Sequence, residues 1–191
     1  MKLTTQQWRS LLIAVVILLA AACSVDEGEP VSGLITADNI NLLLTADEVD
    51  EVARDGSEAT STVVNLFGRA EAEHLDELAD FETWFGVDYA ETVDGSRMVL
   101  SVADHVDSTA GTAHFESVVE ELGLVESEQG IGRRFAGLSP LTSGIHTIVL
   151  FLVDDKTVVL TTTFTLTDNV PLMEPEALVE LARLVATRLI P

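Results

Sequence analysis

The chain is poor in three things. It has one cysteine, 10 Lys and Arg against 32 Asp and Glu, and 5% aromatic residues. A lone Cys can close no internal disulfide and cannot build a Cys-rich zinc site. The net charge is −22 and no basic run is longer than Arg133–Arg134. That leaves no footprint for a nucleic-acid binder, which must displace counterions from phosphates. Anionic lipid would also repel such a chain, so any hold on a membrane must be hydrophobic or covalent. Few aromatics argue against a sugar cleft with paired carboxylates. What the chain does have is apolar residues, 47% of 191. That is enough for one folded domain plus a tether, and the acids read as a solvated surface.

The N-terminus carries the sharpest pattern. Residues 1–10, MKLTTQQWRS, hold Lys2 and Arg9 and no acid. Leu11–Ala22 (LLIAVVILLAAA) is unbroken apolar sequence of 12 residues, and Cys23 follows at once. A basic start, a short apolar run and small residues before a polar boundary make a secretory signal. A spanning helix needs about 20 apolar residues, so the run is short for that role. Leu19-Ala20-Ala21-Ala22-Cys23 resembles the lipobox of bacterial lipoproteins, with Ala20 where Leu is commoner. The resemblance implies cleavage before Cys23, acyl chains on its thiol, and a protein held on the outer side of the cell membrane. Two or three acyl chains anchor stably where one does not, at roughly 0.8 kcal/mol per buried CH₂. Cleavage would remove Lys2 and Arg9 and no acid, leaving 8 basic against 32 acidic residues, a charge of −24. The expected organisation is a signal over 1–22, an acidic tether over 23–38, and one domain over 39–191.

Within that domain the periodicities predict α+β. Thr45 and Glu48 form a capping box, with Leu44 and Val49 as a staple and Asp55-Gly56 as a stop. Residues 60–67 suit a strand and 70–80 a helix with Leu75, Leu78 and Ala79 on one side. Trp84 and Phe85 should pack into a core or groove, with Gly86 breaking the run. Val87–Val93 and Arg97–Ala103 flank Asp94-Gly95, a hairpin signal. Ser108 or Thr109 should cap a helix whose inner stripe is Phe115, Val118, Val119 and Leu122, ending at Gly123. Leu124–Phe135 suggests one or two short strands around Gly130 and Gly132. Ile145–Val153, apolar on both faces from Ile148, reads as a central strand. In Val158–Leu166 one face is apolar, and Thr161, Thr163 and Thr165 make the other half wet. After Pro171 and Pro175, a last helix has Leu178, Leu181, Ala182, Val185 and Leu189 inward and Arg183 and Arg188 towards its C-terminal half. The fold expected is an antiparallel sheet built from hairpins, with packed helices and a C-terminal helix closing the domain.

Four segments carry a second, looser resemblance: LLLTADEV at 42–49, SVADHVDSTAGTAHFESVVEEL at 101–122, TIVLFLVDDKTVVLTT at 147–162 and LVELARLVATRL at 178–189. Their order is similar to extracytoplasmic domains of small bacterial lipoproteins and kinase sensor modules. That resemblance implies binding, sensing or an accessory role and transfers no catalytic residue.

The search for chemistry finds little. The histidines, His74, His105, His114 and His146, lack His-x-x-x-His spacing and read as scattered, so no metal is expected. Ser139 and Ser143 sit in loops without a Gly-x-Ser-x-Gly turn. Gly130-Ile131-Gly132-Arg133-Arg134 lacks the elements of a phosphate loop, and no cofactor is expected. Arg133 and Arg134 could hold a carboxylate or phosphate, or pair with Glu126 or Glu128. Asp104, Asp107, Asp154 and Asp155 lie at strand ends, where turn and cap use explains them. The sequence therefore points to a lipid-anchored, non-enzymatic envelope protein that binds an unknown protein or small molecule. The alternatives are a sensor or scaffold working through a surface such as the Thr161/Thr163/Thr165 face, and a hydrolase whose site is assembled from distant residues.

Overall fold

Two periods, 2 in the strands and 3.6 in the helices, decide which side chains reach a core. The computed structural model describes residues 33–54, 58–68, 81–91, 95–138, 145–164 and 170–189. Seven strands form one sheet: β1 (Ala59–Gly68), β2 (Phe81–Glu91), β3 (Arg97–His105), β4 (Val125–Glu126), β5 (Arg134–Leu138), β6 (Ile145–Val153) and β7 (Lys156–Thr163). Their order is β1-β2-β3-β7-β6-β5-β4, and every pairing is antiparallel. A 3-10 turn (Ile40–Leu42) leads into α1 (Ala46–Val52). Helix α2 (Ser108–Leu122) follows β3, and α3 (Pro175–Leu189) closes the described chain. This is the expected α+β class.

Strand alternation divides the core in two. Phe85, Val87 and Tyr89 of β2, Met98, Leu100 and Val102 of β3, Val149, Phe151 and Val153 of β6, and Val158 and Leu160 of β7 share one face with the buried stripe of α3. Ile148, Leu150 and Leu152, alternating with the first set on β6, turn to the other face and meet Phe115 of α2. Helices therefore cover both faces of β6. It is buried on both sides, as its unbroken apolar run predicts, although β7 holds the middle place in the sheet. The inner residues expected for α3 are all buried. At about 1.5–3 kcal/mol for each large aliphatic side chain withdrawn from water, this helix is bound chiefly by its stripe.

One carboxylate joins two helices. The Thr45 side chain accepts from the Glu48 amide, and the Glu48 side chain accepts from the Thr45 amide, so the capping box is complete. Glu48 also takes both forks of Arg188, at 2.8 and 2.5 Å, while Arg188 donates to the Leu43 carbonyl at 3.1 Å. The Arg188 hydrogen bond holds the Glu48 carboxyl below its ordinary pKa. Beside it, the Tyr89 hydroxyl donates to the Leu44 carbonyl at 2.6 Å. Burial pushes its pKa up, so it remains a donor.

Three local expectations need correction. Gly86 does not break a run: it pairs with Val64 on one side and Ser101 on the other, inside a continuous β2. The cap of α2 is Asp107, whose carboxylate accepts from the amides of Thr109 and Ala110 at 2.8 and 2.9 Å. An ionised oxygen is the strongest acceptor available at the positive end of a helix. The packed body also reaches into the stretch read as tether. Ile35 is fully buried, its amide donates to Asp104 Oδ2 at 2.9 Å, and its carbonyl accepts from Thr83 Oγ1 at 2.8 Å. The capping box, the β2–β3 pairing and the Gly123 stop of α2, at φ 65 and ψ 36, agree with expectation. The helix expected over 70–80 lies outside the described residues.

Candidate functional site

Polar side chains gather at the end of the sheet where β3 stops, the β6–β7 turn lies and α2 begins. Lys156 at the start of β7 reaches Asp155 Oδ1 at 2.8 Å and Asp104 Oδ1 at 3.2 Å. Burial opposes the charge on Lys156, but the Asp155 hydrogen bond and the Asp104 field keep its pKa above the ordinary value. Asp104 is deeper, and burial pushes its carboxyl up despite the Ile35 amide and Lys156. Two of the four strand-end aspartates thus hold a lysine, Asp107 caps a helix, and Asp154 takes the turn at φ 52. Among the described residues no three His, Cys, Asp or Glu side chains are placed to hold a metal ion.

Two histidines read as scattered meet here. The rings of His105 and His114 lie 5.0 Å apart, and Phe81 packs against both, at 4.6 and 4.9 Å. Trp84 lies 5.4 Å from Phe81 and 6.1 Å from His114. His105 is buried, and its Nε2 is 3.0 Å from Thr157 Oγ1, which donates in turn to the Gly111 carbonyl at 3.4 Å. Because that hydroxyl spends its proton on Gly111, it accepts from Nε2–H, which assigns the His105 tautomer. Burial, reinforced by the neighbouring His105, pushes His114 down to about 3. Its Nδ1 is buried without a hydrogen-bond partner among the described residues.

The sequence held a usable signal for this pair. His105 follows Ser101 and Ala103 on the β3 face opposite Met98, Leu100 and Val102. His114 is three residues from Gly111 and four from Val118 on the inward side of α2. Only the sharp turn at Val106–Asp107 superimposes the two faces. Gly111 permits the approach: a Cβ there would stand 3.1 Å from the Asp155 carbonyl oxygen and 3.3 Å from Leu152 Cδ1.

Arg133 and Arg134 do not form one anion-binding pair. Arg134 gives Nε and Nη2 to Glu126, at 3.1 and 2.6 Å, and Nη1 to Glu116 of α2 at 2.7 Å. Its guanidinium lies 4.6 Å over the Phe115 ring. The Glu126 bond, with that of Glu116, raises its pKa further. The residue is a pin between the β4–β5 hairpin and α2. Arg133 turns away and donates to the Asp154 carbonyl at 2.5 Å. A cleft of about 420 Å³ lies in the same hairpin, but Glu126 and Glu128 stand in its wall with the arginines.

The other candidates are placed as follows. Thr161 and Thr163 are half-buried, and Thr163 Oγ1 accepts from the Arg97 amide at 2.9 Å. His146 stacks edge-on against Phe164 at 4.9 Å. Cys23, His74, Ser139, Ser143 and Thr165 lie outside the described residues. No described helix is long and apolar enough to cross a membrane.

No family model matches the chain, and comparison with curated proteins finds no match. Among solved structures, the extracellular domain of PknH from Mycobacterium tuberculosis aligns at a TM-score of 0.47 and 10% identity. The alignment covers 81% of this chain and 96% of that one.

Proposed function

We propose that this chain is a lipoprotein of the cell envelope. Its acidic α+β domain is held at the extracytoplasmic face by acyl chains on Cys23 and acts as a non-enzymatic binding or accessory module. The observation that carries the reading is the placing of the lone cysteine directly after the Leu11–Ala22 run. The burial of Ile35 adds to it. The chain between Cys23 and Ile35 can extend at most about 40 Å, at roughly 3.4 Å per residue, so the domain would work close to the lipid surface. A charge of −24 on the mature chain favours neutral or basic partners over nucleic acid. The non-enzymatic part rests on how the polar groups are used: Arg134 pins a hairpin, Lys156 neutralises Asp155 beside Asp104, and Thr157 joins His105 to a helix carbonyl. These are structural roles.

The test is metabolic labelling with a fatty-acid analogue in a bacterial host. The wild-type chain should take up label and partition with membranes. Cys23→Ala should lose the label completely and collect as unprocessed precursor. Equal labelling of the two would remove the anchor.

A further inference from the structure

Helix α2 follows β3 after a two-residue turn, and its first half is held on the sheet by side-chain packing and by the Thr157–Gly111 hydrogen bond. At that joint the packing is made of His114, His105, Phe81 and Trp84. An imidazole with a buried, unsatisfied nitrogen, set against an indole, a benzyl ring and a second imidazole, is well placed only while neutral. No described residue hydrogen-bonds that nitrogen, and a proton on the ring would bring a charge among the Phe81, Trp84 and His105 rings. We propose that the docking of α2 on the sheet is an acid-opened latch, in which protonation of His114 frees the first half of the helix and uncovers the Phe81 and Trp84 rings.

The surrounding charges do not cancel this. On α2, Asp107 is bonded to the helix amides and Glu116 to Arg134, while Glu120 and Glu121 face solvent. From β2, Glu82 is already engaged in an interaction of its own. On the β6–β7 side, Asp155 holds Lys156 and the Asp154 carbonyl holds Arg133. Asp104 is bonded to the Ile35 amide and Lys156.

The signs follow from which state takes up the proton. His114 is depressed when docked, so the open state binds the proton first and acidification through about 6.5 favours opening. Asp104 is raised by burial, so the closed state binds its proton first and acid there favours closure. The two effects oppose each other, and the His114→Phe control separates them, because Asp104 is present in both chains. The latch needs no lipid anchor, so its failure and that of the anchor are separate results.

The experiment is hydrogen exchange by mass spectrometry on the full chain in detergent micelles at pH 7.5 and 5.0, corrected for the chemical exchange rate. With an open-state imidazole near 6.5, opening of the 108–122 segment should rise about thirtyfold between those values. The 175–189 segment should change less than threefold. His114→Phe keeps a ring and cannot be protonated, and should hold the 108–122 rise below threefold. No rise in the wild-type chain, an equal rise in His114→Phe, or an equal rise across 175–189 would each overturn the latch. Should His114→Phe not fold, NMR titration of the wild-type imidazoles decides: His114 silent above pH 5 supports the latch, and a midpoint between 6 and 7 overturns it.

Discussion

Replacing Phe115 by alanine should lower the unfolding free energy by about 4 kcal/mol, within the range for buried aromatic truncations. Phe115 is fully buried and is the one α2 side chain wholly inside the second core cluster. It packs there with Ala136, Ile148, Leu150 and Leu152. Its ring also carries the Arg134 guanidinium, which would lose its apolar floor. Val118, Val119 and Leu122 are only partly buried and cannot close the cavity. For a chain of this size the change should lower the melting temperature by about 10 °C. Glu120→Ala, on the solvent side of the same helix, should move stability by less than about 0.5 kcal/mol. Urea unfolding of the three chains measures this. A loss under about 1 kcal/mol for Phe115→Ala would mean that α2 is not packed as described.

Gly132→Ala should cost about 3 kcal/mol or more, although it adds one methyl group on a loop. Gly132 sits at φ 60, in the left-handed region that costs an L-residue roughly 1–2 kcal/mol. A Cβ there would also stand 2.4 Å from the Leu152 carbonyl oxygen. That oxygen already accepts the Arg133 amide at 2.7 Å, so relief would break a hydrogen bond of a central strand. Gly130 offers the contrast: it shares the positive φ, but nothing lies within 4 Å of its Cβ position. Gly130→Ala should cost only the conformational part, roughly 1–2 kcal/mol. Equal melting temperatures for the two variants would contradict the close approach of this loop to β6.

What could be read in the sequence was what neighbours in the chain decide. The Thr45–Glu48 box, the Gly123 stop, the stripe of α3 and the alternation of β3 depend on residues within a few positions of one another, and all are present. The corrections come from distant contacts. Ile35 looked like tether because its neighbours are polar and small, yet its partners Thr83 and Asp104 lie 48 and 69 residues away. Gly86 looked like a break because propensity ignores the pairing on either side of a strand. The adjacency of Arg133 and Arg134 suggested a single basic site, but the strand begins at Arg134 and the two side chains diverge. The His105–His114 pair was hidden by nine residues of separation across a strand, a turn and a helix. Its recovery requires both periods and the turn together.

The most direct measurement of the central claim is the intact mass of the chain purified from the membrane fraction of an expressing bacterium. The account predicts a polypeptide beginning at Cys23, heavier than its amino acids by a diacylglyceryl group, with or without a further acyl chain on the new amino terminus. A polypeptide beginning at Met1 with an unmodified thiol would contradict it.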